Sequence, residues 1–261
     1  MDATSQKPLK ILLLGGTSEA SLLAKRLARV PDISATLSLA GRTRNAAASP
    51  LPVRVGGFGG ADGLADHLKR EGIELVLDAT HPFAAQISAN AIAACRMTGV
   101  PLLAVERPPW EKASGDRWSE HDSIEDAVAA LPDVPANVFS ALGRSAISAL
   151  CAKPQHRYVI RVVDAVELPS ELSHATVIAA RGPFRTDDDV ALFRAHNIAC
   201  VLAKNSGGDA AYAKIEAARL LALPVYMVRR PVIAERHVVS TVDEAMIWIT
   251  RHHSPRAERG V

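Results

Sequence analysis

Short, predominantly apolar runs alternate with longer amphipathic stretches along almost the whole chain, and this alternation restricts the fold more than any other feature. Runs at about 10–14, 33–39, 52–55, 74–78 and 101–105 are strand-length and mostly apolar. Such runs belong to parallel sheets covered on both faces. Helices are expected between them at about 19–29, 61–71 and 84–98, with apolar spacings of four such as Leu23 with Leu27 and Leu64 with Leu68. This succession predicts an α/β doubly wound parallel sheet with right-handed crossovers. The segment from Glu106 to His121, rich in Pro, Trp and charge, breaks the rhythm, and a helix is expected over 123–131. Pro132-Asp133-Val134-Pro135 has the composition of a linker. The alternation then restarts, with strands at 137–141, 158–163, 176–180, 199–203 and 224–228 and helices at 145–151, 187–196 and 210–221. A last helix over 241–252 has Ser240 and Thr241 as caps and Asp243 and Glu244 in its first turn. Two Rossmann-like lobes are expected, over 1–133 and 134–261, with the last helix open to packing back on the first.

Composition narrows the function classes. Lys and Arg total 30 against 28 Asp and Glu, a net charge of +2 that is too balanced for a general nucleic-acid binder. Cys95, Cys151 and Cys200 are far apart in expected helices or strands, as buried thiols of a reducing compartment would be. No Cys/His spacing suggests a metal. No signal peptide is evident, and no apolar run reaches membrane-spanning length, so a cytoplasmic protein without a membrane partner is expected.

In doubly wound sheets ligands bind beyond the C-terminal strand ends. The first strand runs into Gly15-Gly16-Thr17-Ser18-Glu19, where a helix N-terminus and exposed backbone N–H groups can meet a pyrophosphate. Neither the G-x-G-x-x-G nor the P-loop pattern is met, and a plain tight turn capped by Ser18 is the other reading. The second strand is followed by Gly41-Arg42-Thr43-Arg44, basic where NAD-binding lobes carry an acid. That fits a 2′-phosphate, or else a solvated basic loop. Gly56-Gly57-Phe58-Gly59-Gly60 follows the third strand, either a flexible connector or backbone lying against a flat ring with Phe58 as wall. Thr80 and His81 follow the fourth, as helix caps or as ligand contacts. The second-half strand ends carry Gly143-Arg144-Ser145, Arg181-Gly182-Pro183-Phe184-Arg185, Lys204-Asn205-Ser206-Gly207-Gly208 and Arg229-Arg230-Pro231. Basic loops gathered at one edge suit a polyanionic ligand. No Ser-His-Asp order or G-x-S-x-G is present, and hydride transfer, with the hard chemistry carried by a cofactor, fits better.

Taken together, the Gly15–Glu19 opening, Arg54-Val55-Gly56-Gly57-Phe58-Gly59-Gly60, Asp78-Ala79-Thr80-His81-Pro82-Phe83-Ala84, Arg181–Phe184 and Lys204–Gly208 resemble the precorrin-6A reductase family of cobalamin biosynthesis. The resemblance implies two Rossmann-like domains with the macrocycle in a cleft between them. It implies NADPH-dependent reduction of one ring C=C bond of precorrin-6A to give precorrin-6B, or the same reaction on cobalt-precorrin-6A, with transient contacts to other enzymes of the pathway. On this basis Gly15, Gly16, Thr17, Ser18 and Glu19 are expected at the pyrophosphate, and Arg42 and Thr43 at the 2′-phosphate. Gly57 and Phe58 are expected near the nicotinamide, and Thr80 and His81 along the cleft. Arg144, Arg181, Arg185, Lys204, Asn205, Ser206, Gly207 and Arg229 are expected to meet the tetrapyrrole carboxylates. Lys204, His81, Ser206 or solvent is expected to deliver the proton. Outside this family, a reductase of a smaller anion and a non-catalytic carrier of NADP(H) or a tetrapyrrole remain open.

Overall fold

The computed structural model describes residues 7–40 and 49–253. The first strands and helices are β1 (Leu9–Leu14), α1 (Ser18–Leu27), β2 (Ile33–Leu39), β3 (Val53–Val55), α2 (Gly60–Glu71), β4 (Leu75–Asp78), α3 (Ala85–Thr98) and β5 (Leu102–Val105). There follow β6 (Arg117–His121), α4 (Ile124–Ala129), β7 (Asn137–Ala141), α5 (Ile147–Leu150), β8 (Arg157–Val162), β9 (Thr176–Ala179), α6 (Thr186–Ala195), β10 (Cys200–Lys204), α7 (Ala213–Leu220) and β11 (Pro224–Val228). β12 (His237–Val239) and α8 (Val242–His253) complete the chain.

The strands form two six-stranded parallel sheets, ordered β12-β5-β4-β1-β2-β3 and β6-β11-β10-β7-β8-β9. Each has the Rossmann order, with a switch of direction between its first and fourth strands, β1 and β4 in one and β7 and β10 in the other. In the first sheet alternate residues serve opposite faces. Ile11 and Leu13 pack with Leu23 and Leu27 of α1 and with Val242, Ala245 and Ile249 of α8. Leu12 and Leu14 pack with Leu64 and Leu68 of α2 and with Ala91 and Ala94 of α3. In the second sheet Phe139, Val201, Val225 and Met227 pack with Phe193 of α6 and Ile215 of α7. Burial pushes the Cys95 and Cys200 thiols up to about 12.

The chain divides into a unit of residues 1–107 with 232–261 and a unit of residues 108–231. The break expected at 133/134 therefore falls inside the second unit. The reason is that Arg117–His121, in the stretch read as a break in rhythm, is a strand paired in parallel with β11 (Val225↔Trp118, Met227↔Glu120). A second strand not expected from the sequence, β12, pairs with β5 (Val238↔Ala104). The sixth strands are thus exchanged. β6 and α4 follow β5 in the chain but complete the second sheet, whereas β12 and α8 follow β11 but complete the first.

Candidate active site

At the end of β1, the Gly15 N–H donates to the Ser38 carbonyl of β2 at 3.0 Å. A Cβ at Gly15 would press into the Leu37 side chain, so this glycine serves packing. Gly16 differs: its φ of +125° suits glycine, and a Cβ there would meet nothing within 4 Å. Its backbone therefore lies beside open space at the N-terminus of α1. Thr17, not Ser18, is the N-cap. Its Oγ1 accepts from the Ala20 N–H at 3.1 Å and donates to the Ala79 carbonyl at 2.7 Å, tying the loop to the end of β4. Ser18 is exposed, and its hydroxyl donates to Glu19 Oε2 at 3.1 Å. Glu19 pairs with Arg107 at 2.7 Å. Burial acts to raise the Glu19 carboxyl, but its own backbone N–H and the Arg107 guanidinium outweigh it and hold the group below its ordinary value.

Beyond β3 the loop is built around Arg54, which sequence reasoning left out of the site. Its guanidinium donates to the carbonyls of Gly56 (2.5 Å) and Gly57 (2.7 Å) and lies 3.8 Å from the Phe58 ring centroid. The other neighbour of Phe58 is His67, with centroids 5.1 Å apart. Phe58 also packs against the α2–α3 core, so it anchors its own loop, and its ring is already occupied by Arg54 and His67. Gly57 is exposed, with open space where a Cβ would stand. Arg42 and Thr43 lie outside the described residues.

The end of β4 is more polar inside than its sequence suggests. Asp78 is 3% exposed. Its Oδ1 accepts both the Thr80 N–H (3.1 Å) and the Thr80 hydroxyl (2.7 Å). Its Oδ2 is buried and accepts no hydrogen bond. A small cavity here is lined by Asp78, Thr80, His81, Ser88, Glu106 and Arg236. Arg236 donates to Glu106 at 2.6 Å, while its buried Nε has no acceptor. His81 Nδ1 accepts the Phe83 N–H at 3.2 Å, so the neutral ring carries its proton on Nε2. Nothing in the local sequence around Arg236 singles it out, because only the β12–β5 pairing brings it to this edge.

In the second unit the loop after β10 is a structural lock. Asn205, 6% exposed, accepts the Trp110 N–H at 2.7 Å through Oδ1 and donates Nδ2 to the Trp110 carbonyl at 2.9 Å. The Trp110 indole N–H donates to Gly208 O at 2.8 Å, and Arg230 donates to the carbonyls of Asn205 (3.0 Å) and Ser206 (3.1 Å). Gly207, at φ +66°, lies so close that a Cβ would collide with the Pro108 carbonyl. Asn205 and Gly207, expected at the substrate, thus bind the 108–110 segment instead, because two segments of the chain meet there. The Ser206 hydroxyl turns back to the Lys204 carbonyl at 3.4 Å, and Lys204 ends β10 partly buried.

Of the expected cations, Arg144 and Arg185 are exposed at the starts of their helical turns. Arg181 pairs with Asp164 at 3.3 Å and Arg229 with Asp122 at 3.0 Å, both at the surface where such pairs are weak. Arg161, absent from the expectations, is committed to structure. It pairs with buried Asp189 of α6 and lies against the Phe139 and Phe184 rings, at 4.8 and 4.2 Å.

Two Rossmann-ordered sheets with glycine-edged and cationic strand ends define a two-unit α/β protein of the Rossmann-like class. Comparison with known proteins narrows that class. The family described as precorrin-6x reductase CbiJ/CobK matches residues 10–250. The chain belongs to this family, and the resemblance drawn from its motifs is borne out. A precorrin-6A reductase of Rhodobacter capsulatus is 50% identical over 243 residues, covering 93% of this chain and 96% of that protein. One of a Sinorhizobium species is 47% identical and covers 97% of each. A solved structure described as CobK precorrin-6A reductase superposes with a TM-score of 0.88 at 49% identity, over 95% of this chain and 99% of that one.

Proposed function

We propose that the protein transfers a hydride from NADPH to a ring C=C bond of precorrin-6A, giving precorrin-6B in cobalamin biosynthesis in the cytoplasm. One observation carries this reading: relatives bearing the name precorrin-6A reductase match nearly the full length at about half identity.

The first sheet's edge fits a dinucleotide. The open backbone at Gly16 and the N-terminus of α1 offer a place for the pyrophosphate, and Arg107 pairs with Glu19, whose carboxylate would otherwise repel it. Arg42 and Thr43 supply the contact that distinguishes NADPH from NADH. NADPH, when bound, supplies the hydride. The chain holds the reactants in place and manages the proton: Lys204, Ser206 or bound solvent is the candidate donor, while the neutral His81 offers Nε2–H as a hydrogen bond. Arg144, Arg181, Arg185 and Arg229 meet the acetate and propionate groups of the macrocycle, Arg181 and Arg229 by exchanging the weak surface pairs they make with Asp164 and Asp122.

The test is anaerobic incubation with precorrin-6A and NADPH, and separately NADH, read by product mass. NADPH-dependent gain of two hydrogens supports the reading. Turnover of cobalt-precorrin-6A alone would assign the protein to the metal-containing branch, and cofactor binding without turnover of either would make it a carrier. Arg42→Ala is expected to raise the KM for NADPH about tenfold and leave that for NADH unchanged. Equal change for both would remove Arg42 from the 2′-phosphate.

A further inference from the structure

We infer that the cavity at the ends of β4 and β5 is the seat of a primary carboxamide, the terminal amide of the nicotinamide ring, with Asp78 and Arg236 as its two readers. The inference rests on the NADPH reading above.

Two buried polar atoms on residues lining one cavity lack partners: Asp78 Oδ2, an acceptor, and Arg236 Nε, a donor. Buried polar groups are almost always satisfied, so an orphaned pair at a strand edge points to a ligand group not present in the structure. The missing group must donate to one atom and accept from the other. A carboxamide does both, through its NH2 and its carbonyl oxygen. The cavity has room for about one water-sized group, too little for a ring but enough for an amide tip inserted from a mouth that remains open. Its place fits as well. β4 flanks the switch in strand order, across which a dinucleotide lies, with β1 holding the pyrophosphate end.

The local network fixes the polarity of the site. Asp78 Oδ1 already receives both the N–H and the O–H of Thr80, so Oδ2 is the oxygen left to accept from a ligand. Arg236 is held by Glu106 through a terminal nitrogen, which leaves Nε as the donor. Fixing the amide fixes the rotation of the ring about its bond to the ribose, and with it the face of the ring that reacts.

Binding of three oxidised probes tests this by calorimetry: NADP+, its 3-acetylpyridine analogue, which keeps the carbonyl but has no NH2, and 2′,5′-ADP, which lacks the nicotinamide half. The unmodified protein is expected to bind the acetylpyridine analogue at least tenfold more weakly than NADP+. In Asp78→Asn the amide oxygen must stay on Thr80, so Nδ2 takes the place of Oδ2 and a donor faces a donor. This variant is expected to bind 2′,5′-ADP like the unmodified protein, to lose at least tenfold toward NADP+, and to bind the acetylpyridine analogue as well as or better than NADP+. Equal affinity of the unmodified protein for NADP+ and the analogue overturns the inference whether or not the variant folds. An equal loss toward NADP+ and 2′,5′-ADP in Asp78→Asn also overturns it, since the cavity then holds only water. If the unmodified protein binds neither NADP+ nor 2′,5′-ADP, the cofactor reading itself falls and the inference with it.

Discussion

Asn205 shows how one side chain settles the use of a loop. Its amide answers both the N–H and the C=O of Trp110, a two-bond pairing that closes the 108–110 segment onto β10. Asn205→Ala would leave two backbone groups without partners in a buried place, a loss of about 3 kcal/mol. We expect a lower urea midpoint with little change in the KM for precorrin; a raised KM with stability intact would return Asn205 to the substrate. Glu19 carries a different signature. Its carboxyl is depressed in the folded protein, so its contribution to stability is complete above the ordinary carboxylate value of 4.5 and is lost as pH falls through the lower, folded value. The stability gap between the protein and Glu19→Gln should therefore hold at neutral pH and close in acid. A gap that persists below pH 3 would show that shape, not charge, makes the contribution.

At the scale of elements, α2 depends on a close approach. Any Cβ at Gly63 would run into the carbonyl oxygen of Phe58, a backbone atom that Arg54 holds in place through its neighbours. Gly63→Ala should lower stability by about 2–4 kcal/mol and weaken NADP+ binding together, because the glycine loop shifts with the helix. Thermal unfolding and calorimetry on the same sample would check it. The central elements are legible in the sequence because both faces of each sheet are covered: Ile11 to Leu14 has no polar member to hide its period. The two strands that escape notice, Arg117-Trp118-Ser119-Glu120-His121 and His237-Val238-Val239, are both sheet edges with exposed residues, and no apolar run marks them. The site divides in the same way. The turn at Gly16 is legible because a strand-to-helix turn has a stereotyped chemistry, although its cap is Thr17 and not the expected Ser18. Asn205 and Gly207 mislead because a small polar loop has the same composition whether it meets a ligand or another stretch of chain. Asp78 and Arg236 acquire their relation only when β12 is laid beside β5.

At the scale of the molecule, each sheet is completed by a strand and helix from across a chain crossing. Residues 1–107 expressed alone lack Val242, Ala245 and Ile249, which share the core with Leu23 and Leu27. We expect this fragment to unfold without a cooperative transition, and a fusion of 1–107 to 232–253 through a flexible linker to regain one. Cooperative melting of 1–107 alone would show that α8 is dispensable to that core. The same exchange has a meaning in time. A chain leaving the ribosome presents β5 as a bare sheet edge, and the strand that covers it is synthesised only after the whole second unit. The first domain begun is thus the last one finished, and its exposed edge must be kept from other nascent chains throughout the interval.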